Sequence, residues 1–84
     1  MNYYVYLIVS KVKKKTISYV GYTNNLHKRV KLHSTNKGAK FTKGKKWKLV
    51  YYEVYDSRAE AMKKEYSLKK NYNLRNKLKK VKVI

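Results

Sequence analysis

The sequence predicts a small α/β domain of the α+β kind, in which three strands and two or more helices share one core. Three observations predict it. Residues 3–9 form an unbroken β-branched and aromatic run, residues 16–22 and 47–55 carry two further strand patterns, and helical stripes follow capping residues at 23–25 and at 57. Eighty-four residues make one domain. Its core is expected over about residues 3–70, with a basic helix and tail over 71–84.

Tyr3-Tyr4-Val5-Tyr6-Leu7-Ile8-Val9 does not alternate, so it reads as a strand covered on both faces. Ser10 to Lys15 is polar apart from Val12 and reads as a loop, and Thr16 to Tyr22 reads as the second strand of a hairpin. A register that sets Val9 against Thr16 also sets Tyr6 against Tyr19. Thr23-Asn24-Asn25 caps a helix over 26–33, on which Leu26, Val30 and His33 share a face and Arg29 borders it. Residues 35–46 read as a basic loop. Trp47 to Tyr55 is the third strand, with Trp47, Leu49, Tyr51, Glu53 and Tyr55 on one face. Ser57 and Glu60 form a capping box, and Ala61, Met62, Glu65 and Leu68 fall on one stripe of the helix that follows. Asn71-Tyr72-Asn73 interrupts that helix, and a short basic helix begins at Leu74.

Composition narrows the function. Lys and Arg number 23 against four Asp and Glu, a net charge of +19 that points to a polyanionic partner. The absence of cysteine excludes a disulfide scaffold, a Cys-ligated zinc finger and a thiol nucleophile. Two histidines and four carboxylates are too few for a dedicated multi-ligand metal cage. No run approaches the ~18 apolar residues of a membrane span, and the apolar run at 3–9 lacks the flanks of a signal peptide, so a cytoplasmic or nuclear location is expected. Disorder is not expected, because 43% hydrophobic residues with ten tyrosines and a tryptophan can build a core.

Four residue types stand out. Glu65 interrupts an apolar stripe, so it must be paired, protonated or bound to a cation. An i,i+4 ion pair with Lys69 is the ordinary reading; a Mg²⁺ held by one carboxylate, waters and a phosphate is the chemical one. Arg29 is one of three arginines in a chain otherwise committed to lysine, and an arginine fork binds phosphate bidentately. An ordinary surface arginine is the alternative. His33 either accepts a proton or packs at its helix end. The lysines at 37, 40, 43, 45, 46 and 69 (Lys37, Lys40, Lys43, Lys45, Lys46 and Lys69) are expected to bind nucleic-acid phosphates without reading sequence.

The order Tyr4-Val5-Tyr6, Tyr19-Val20-Gly21, Thr23-Asn24-Asn25-Leu26, Arg29-Val30, His33 and Glu65 resembles the GIY-YIG nuclease family. The stretch from Leu49 to Lys70 is similar to its small, single-domain, UPF0213-like bacterial branch. The resemblance covers about residues 3–70. It implies a three-stranded antiparallel sheet flanked by helices and a metal-dependent DNA endonuclease; little sequence specificity is expected of it, because lysine reads phosphates rather than bases. It implies that Tyr6 acts in proton transfer to the attacking water, that Tyr19 orders water or phosphate, and that Arg29 stabilises the charged transition state. His33 is implied as a base assisting the tyrosine, and Glu65 as the ligand of one divalent ion, Mg²⁺ or Mn²⁺. A free phenol with a pKa near 10 is a poor base at neutral pH, so the metal and Arg29 are expected to favour phenolate. The family often places an asparagine after the metal glutamate; Asn71, Asn73 and Asn76 are available. Tyr72-Asn73-Leu74-Arg75 departs from the Gly-Arg-rich pattern expected there.

The expected partner is DNA, with branched, nicked or single-strand-containing DNA favoured and no membrane or small-molecule cofactor. The protein is expected to act as a monomer, pairing transiently where both strands are cut. About 4–6 phosphate contacts would give a log–log salt slope near −4 to −5 on duplex DNA. The rival reading is a catalytically silent basic nucleic-acid-binding module. Membrane-surface binding is the weaker third, because the basic residues are spread over several elements.

Overall fold

The computed structural model describes residues 2–34 and 46–79. Its elements are β1 (Tyr3–Val12), β2 (Lys15–Thr23), α1 (Leu26–Ser34), β3 (Lys48–Tyr55), α2 (Arg58–Lys70) and α3 (Tyr72–Lys79). The sheet order is β2-β1-β3, and both pairings are antiparallel. The three-stranded antiparallel sheet flanked by helices is therefore the fold. The expected basic loop lies largely outside the described residues, as do Lys37, Lys40, Lys43 and Lys45.

β1 is central, and Val5 to Ser10 are all buried, which is why its sequence does not alternate. Val5, Leu7 and Val9 face one way, where Val20, Val50, Ala61 and Leu68 close a cluster with Leu74 and Leu78 of α3. Tyr6 and Ile8 face the other way and meet Trp47, Tyr19, Leu49 and the Leu26 and Val30 side chains of α1. Each face of the sheet thus carries its own apolar layer.

The hairpin corrects two expectations. The loop is only Lys13-Lys14, so the strands extend to Val12 and Lys15. Lys13 takes the positive φ, 57°, that a tight hairpin turn requires. A two-residue turn pairs Val12 with Lys15, and the register then sets Tyr6 against Gly21 and Ile8 against Tyr19. The expected Tyr6–Tyr19 pairing is shifted by two residues. An even shift preserves the face, so the two phenols remain diagonal neighbours on the same side.

β3 corrects a third. Leu7 pairs with Tyr51 but Ile8 with Leu49, so Val50 is an extra residue, a β-bulge. The bulge inverts the alternation. Trp47 and Leu49 pack on the α1 side, whereas Val50, Tyr51 and Tyr55 pack on the α2 side.

The caps follow the sequence. The Asn25 side chain accepts from the Lys28 amide at 3.2 Å, and the Arg29 amide donates to the Asn25 carbonyl at 3.0 Å, opening α1. Ser57 accepts from the Glu60 amide at 3.2 Å, opening α2. Ala61 and Leu68 face the sheet, but Met62 is exposed, a correction to the expected stripe: next to Ala61 on the helix, it is turned roughly 100° away from it. Asn71 ends α2 and starts α3. Its amide donates to the Leu68 carbonyl at 3.2 Å, and its side chain accepts from the Leu74 amide at 3.1 Å. α3 therefore begins two residues before the expected Leu74.

Candidate active site

Tyr6 is 1% exposed and its ring lies over Gly21, where any side chain would have no room: a Cβ on Gly21 would collide with the phenolic oxygen. Glycine opposite Tyr6 is what lets the ring cross β2. The hydroxyl meets Nε2 of His33, on the last turn of α1, at 2.8 Å. His33 is fully buried. Tyr19 tilts against the same imidazole, with ring centroids 5.1 Å apart, and backs onto Trp47 at 6.4 Å.

Charged groups surround this buried pair. Burial pushes the Tyr6 phenol up to about 12; Arg29 draws it back by hydrogen bonding and by charge, and Tyr19 and Glu65 push it up further. Burial also lowers His33 to about 4, and the positive charge of Arg29 adds to that. Both groups are therefore neutral near pH 7. A neutral imidazole accepts from the phenol when its own proton sits on Nδ1. In the protein without a metal, burial outweighs Arg29 and the Tyr6 hydroxyl keeps its proton.

α2 brings Glu65 to the same centre, near enough for its charge to act on Tyr6. Its side chain is 19% exposed and pairs with Lys69 at 3.4 Å. The ordinary ion pair is thus present, and it engages one oxygen of the carboxylate. Among the described residues no three His, Cys, Asp or Glu side chains form a group that could hold a metal. The donor set fits a hard ion that keeps most of its water and takes a single carboxylate, as Mg²⁺ and Mn²⁺ sites with substrate phosphate do. It does not fit a protein cage.

The structure brings Tyr6 of β1, Tyr19 of β2, Arg29 and His33 of α1 and Glu65 of α2 to one place. Lys69 belongs to that place through Glu65, and Lys46 is exposed elsewhere. Asn71 is committed to helix capping. Asn73 and Asn76 lie on α3, and both are exposed. Sequence reasoning missed Arg58. Its guanidinium donates to the Tyr22 hydroxyl at 3.4 Å and shares with Arg29 a polar pocket that Tyr3, Thr23 and Asn24 also line. The signal was present: Arg58 is another of the three arginines, and the argument applied to Arg29 applies equally to it.

This arrangement of sheet, helices and buried tyrosine defines a class. The model of the GIY-YIG catalytic domain matches residues 2–79, and the chain belongs to that family. Membership implies nuclease-type chemistry on nucleic acid. Within the family the chain is similar to the UPF0213 protein CPE1444 of Clostridium perfringens, 46% identical over 71 residues, which cover 83% of this chain and 72% of that protein. It is 43% identical over 70 residues to the UPF0213 protein YazA of Bacillus subtilis, covering 82% and 68%. The solution structure of the UPF0213 protein BH0048 from Bacillus halodurans superposes with a TM-score of 0.51 at 36% identity, covering 93% of this chain and 82% of that one.

Proposed function

We propose that the chain is a divalent-metal-assisted DNA endonuclease with little sequence specificity, selective for branched, nicked or single-strand-containing DNA. The observation that carries this reading is the buried Tyr6–His33 hydrogen bond beside two groups of opposite charge, Arg29 and Glu65.

The chemistry follows from the protonation states. In the protein without its divalent ion, burial pushes the Tyr6 phenol up to about 12, so the resting hydroxyl holds its proton and cannot by itself take one from water. A relay can. The attacking water gives its proton to the Tyr6 oxygen as the Tyr6 proton passes to Nε2 of His33. The hydroxide oxygen bonds to phosphorus, the P–O bond to the leaving strand breaks, and the leaving oxygen takes a proton from solvent. His33, fully buried and held on the Tyr6 hydroxyl, then gives its proton back to the Tyr6 oxygen, which passes one to water in the emptied site. Arg29 and Arg58, on the shared polar pocket, hold the phosphate oxygens as charge builds on them. Tyr19 keeps the imidazole in place from its other side. Glu65 would hold the divalent ion, which supplies charge neutralisation at the scissile phosphate and leaving oxygen.

The test is a cleavage time course on labelled duplex, single-stranded, flap and splayed-arm DNA with Mg²⁺, Mn²⁺ or EDTA, with binding measured in the same samples. Metal-dependent cutting by the wild type, with Glu65→Gln and Tyr6→Phe binding but not cutting, is the expected result. Binding by every protein and cutting by none would leave a basic nucleic-acid-binding module instead.

A further inference from the structure

At the opposite end of the sheet from the Arg29–Arg58 pocket, four lysines surround a cleft of about 360 Å³. Lys11 comes from the end of β1, Lys46 from two residues before β3, Lys48 from its first position, and Lys79 from the last turn of α3; Ser10 and Thr16 supply hydroxyls. Lys11 pairs directly with Thr16, and Lys48 with Val9, so strand register fixes two of the four stems. Among the described residues no carboxylate lines the cleft. All four acidic side chains of the molecule lie between residues 53 and 65, and Glu53 pairs with Val5, at the far half of the sheet. Lys64 and Lys69, by contrast, are each paired with a glutamate.

Like charges gathered without a counterion repel, so the fold carries a cost here that a bound polyanion removes. Spacing places the cleft relative to the candidate active site. Five residues separate Tyr6 from Lys11 on β1, and five separate Gly21 from Thr16 on β2. At roughly 3.4 Å per residue Lys11 lies ~17 Å along the strand from Tyr6, and the odd separation turns its side chain, like that of Val9, to the face opposite the Tyr6 ring. A nucleic-acid duplex, with one negative charge per ~1.7 Å of its axis, is a polyanion long enough to reach both ends of the sheet.

We propose that this cleft is a second phosphate-binding locus, which holds the backbone of the DNA substrate at the end of the sheet remote from the Arg29–Arg58 pocket. The proposal rests on the endonuclease reading for its substrate. Its lysines contact backbone only, so they set affinity and the reach of the substrate, and leave the chemical step unchanged.

Binding in EDTA, where no cutting is needed, tests it. Lys11→Gln/Lys48→Gln is compared with the charge-matched Lys63→Gln/Lys70→Gln on α2, which does not line the cleft. The cleft pair is expected to reduce the salt slope of binding to a duplex of roughly 16 base pairs by about two, against less than about 0.5 for the control. A second measurement needs no variant: lysine acetylation read by mass spectrometry should find Lys11, Lys48 and Lys79 protected by DNA and Lys63 still reactive. Equal slopes for the two pairs, or equal protection of all these lysines, would overturn the proposal. Because neither measurement needs turnover, a protein that binds through the cleft yet cuts nothing would reject the nuclease reading while keeping the locus.

Discussion

Two glutamates of this molecule sit among tyrosines and lysines, and their surroundings differ in kind. Glu53, on β3, accepts from the Tyr51 hydroxyl and, at 2.9 Å, from the Tyr55 hydroxyl, with Lys64 at 3.7 Å. The hydrogen bond from Tyr51, more than any other contact, holds its carboxyl below the ordinary value of 4.5, and burial raises both phenols. Both of its oxygens are engaged by neutral donors from its own strand. Glu65, on α2, has Lys69 against one oxygen and acts on Tyr6 only through its charge. The tyrosine near it donates instead toward a histidine. A carboxylate saturated by its own strand holds structure together; one left with coordination to spare, next to a tyrosine and an arginine, is available for chemistry.

The largest effect separates the two directly. Glu65→Gln should reduce cleavage by at least about 10³-fold, the scale of losing electrostatic stabilisation of the transition state, with little change in stability. Glu53→Gln should do the reverse, costing about 1–2 kcal/mol in urea unfolding while cleavage by the folded protein persists. Loss of cleavage in both variants with equal loss of stability would erase the distinction.

The tyrosines should divide in the same way. Tyr6→Phe removes the relay and is expected to lower kcat by about 10²–10⁴-fold. Tyr55→Phe removes one hydrogen bond to Glu53 and should cost about 1 kcal/mol of stability with kcat unchanged. Gly21→Ala attacks the same relay from the backbone, because the added methyl would occupy the position of the Tyr6 hydroxyl. It should displace that ring and lose activity together with about 1–3 kcal/mol.

Stability against pH distinguishes the two clusters without touching activity. His33 is lowered from 6.5 to about 4, so between those values the unfolded chain binds the proton that the folded chain refuses. Its contribution is complete above pH 6.5 and disappears as pH falls to about 4, a loss of about 1–3 kcal/mol. Glu53 is depressed below 4.5, so its contribution is present above that value and is lost only at lower pH. His33→Gln should flatten the urea midpoint between pH 6.5 and about 4, and Glu53→Gln should flatten it below 4.5. A single transition common to both variants would contradict the separation.

Which parts of this were legible in the sequence follows from what is local. Strands and helices were, because period and capping act within a few residues: the run at 3–9, the Asn25 and Ser57 caps. Register was not, because it depends on the two-residue turn at Lys13-Lys14, and the polar residues around it look like a longer loop. The Val50 bulge was invisible for the same reason, since an extra residue shows only against a partner strand. In the candidate site, Glu65 and Arg29 announced themselves by being the wrong residue type for their surroundings. Tyr6 did not; among ten tyrosines only the order of motifs singled it out. The four cleft lysines look like ordinary surface residues one at a time, and their convergence is entirely a matter of register and helix docking.

The smallest effect is also the sharpest test of what distinguishes the two glutamates, because it changes their lysine partners and leaves both carboxylates in place. Lys64 stands beside an acid already satisfied by two phenols, and Lys69 beside one that is not. Each pair is partly exposed and worth no more than about 0.5 kcal/mol, so Lys64→Gln and Lys69→Gln should be nearly indistinguishable in stability. They should part in metal binding. Removing Lys69 frees the Glu65 oxygen and takes a positive charge from the place where a cation would bind. The Mn²⁺ affinity measured by electron paramagnetic resonance should then rise about three-fold or more, of the order of 1 kcal/mol at effective dielectric values typical of protein surfaces. Lys64→Gln should leave it unchanged, since the tyrosines and not the lysine occupy Glu53. An equal rise in both would mean that only net charge matters, and that Glu65 has no more coordination to offer than Glu53.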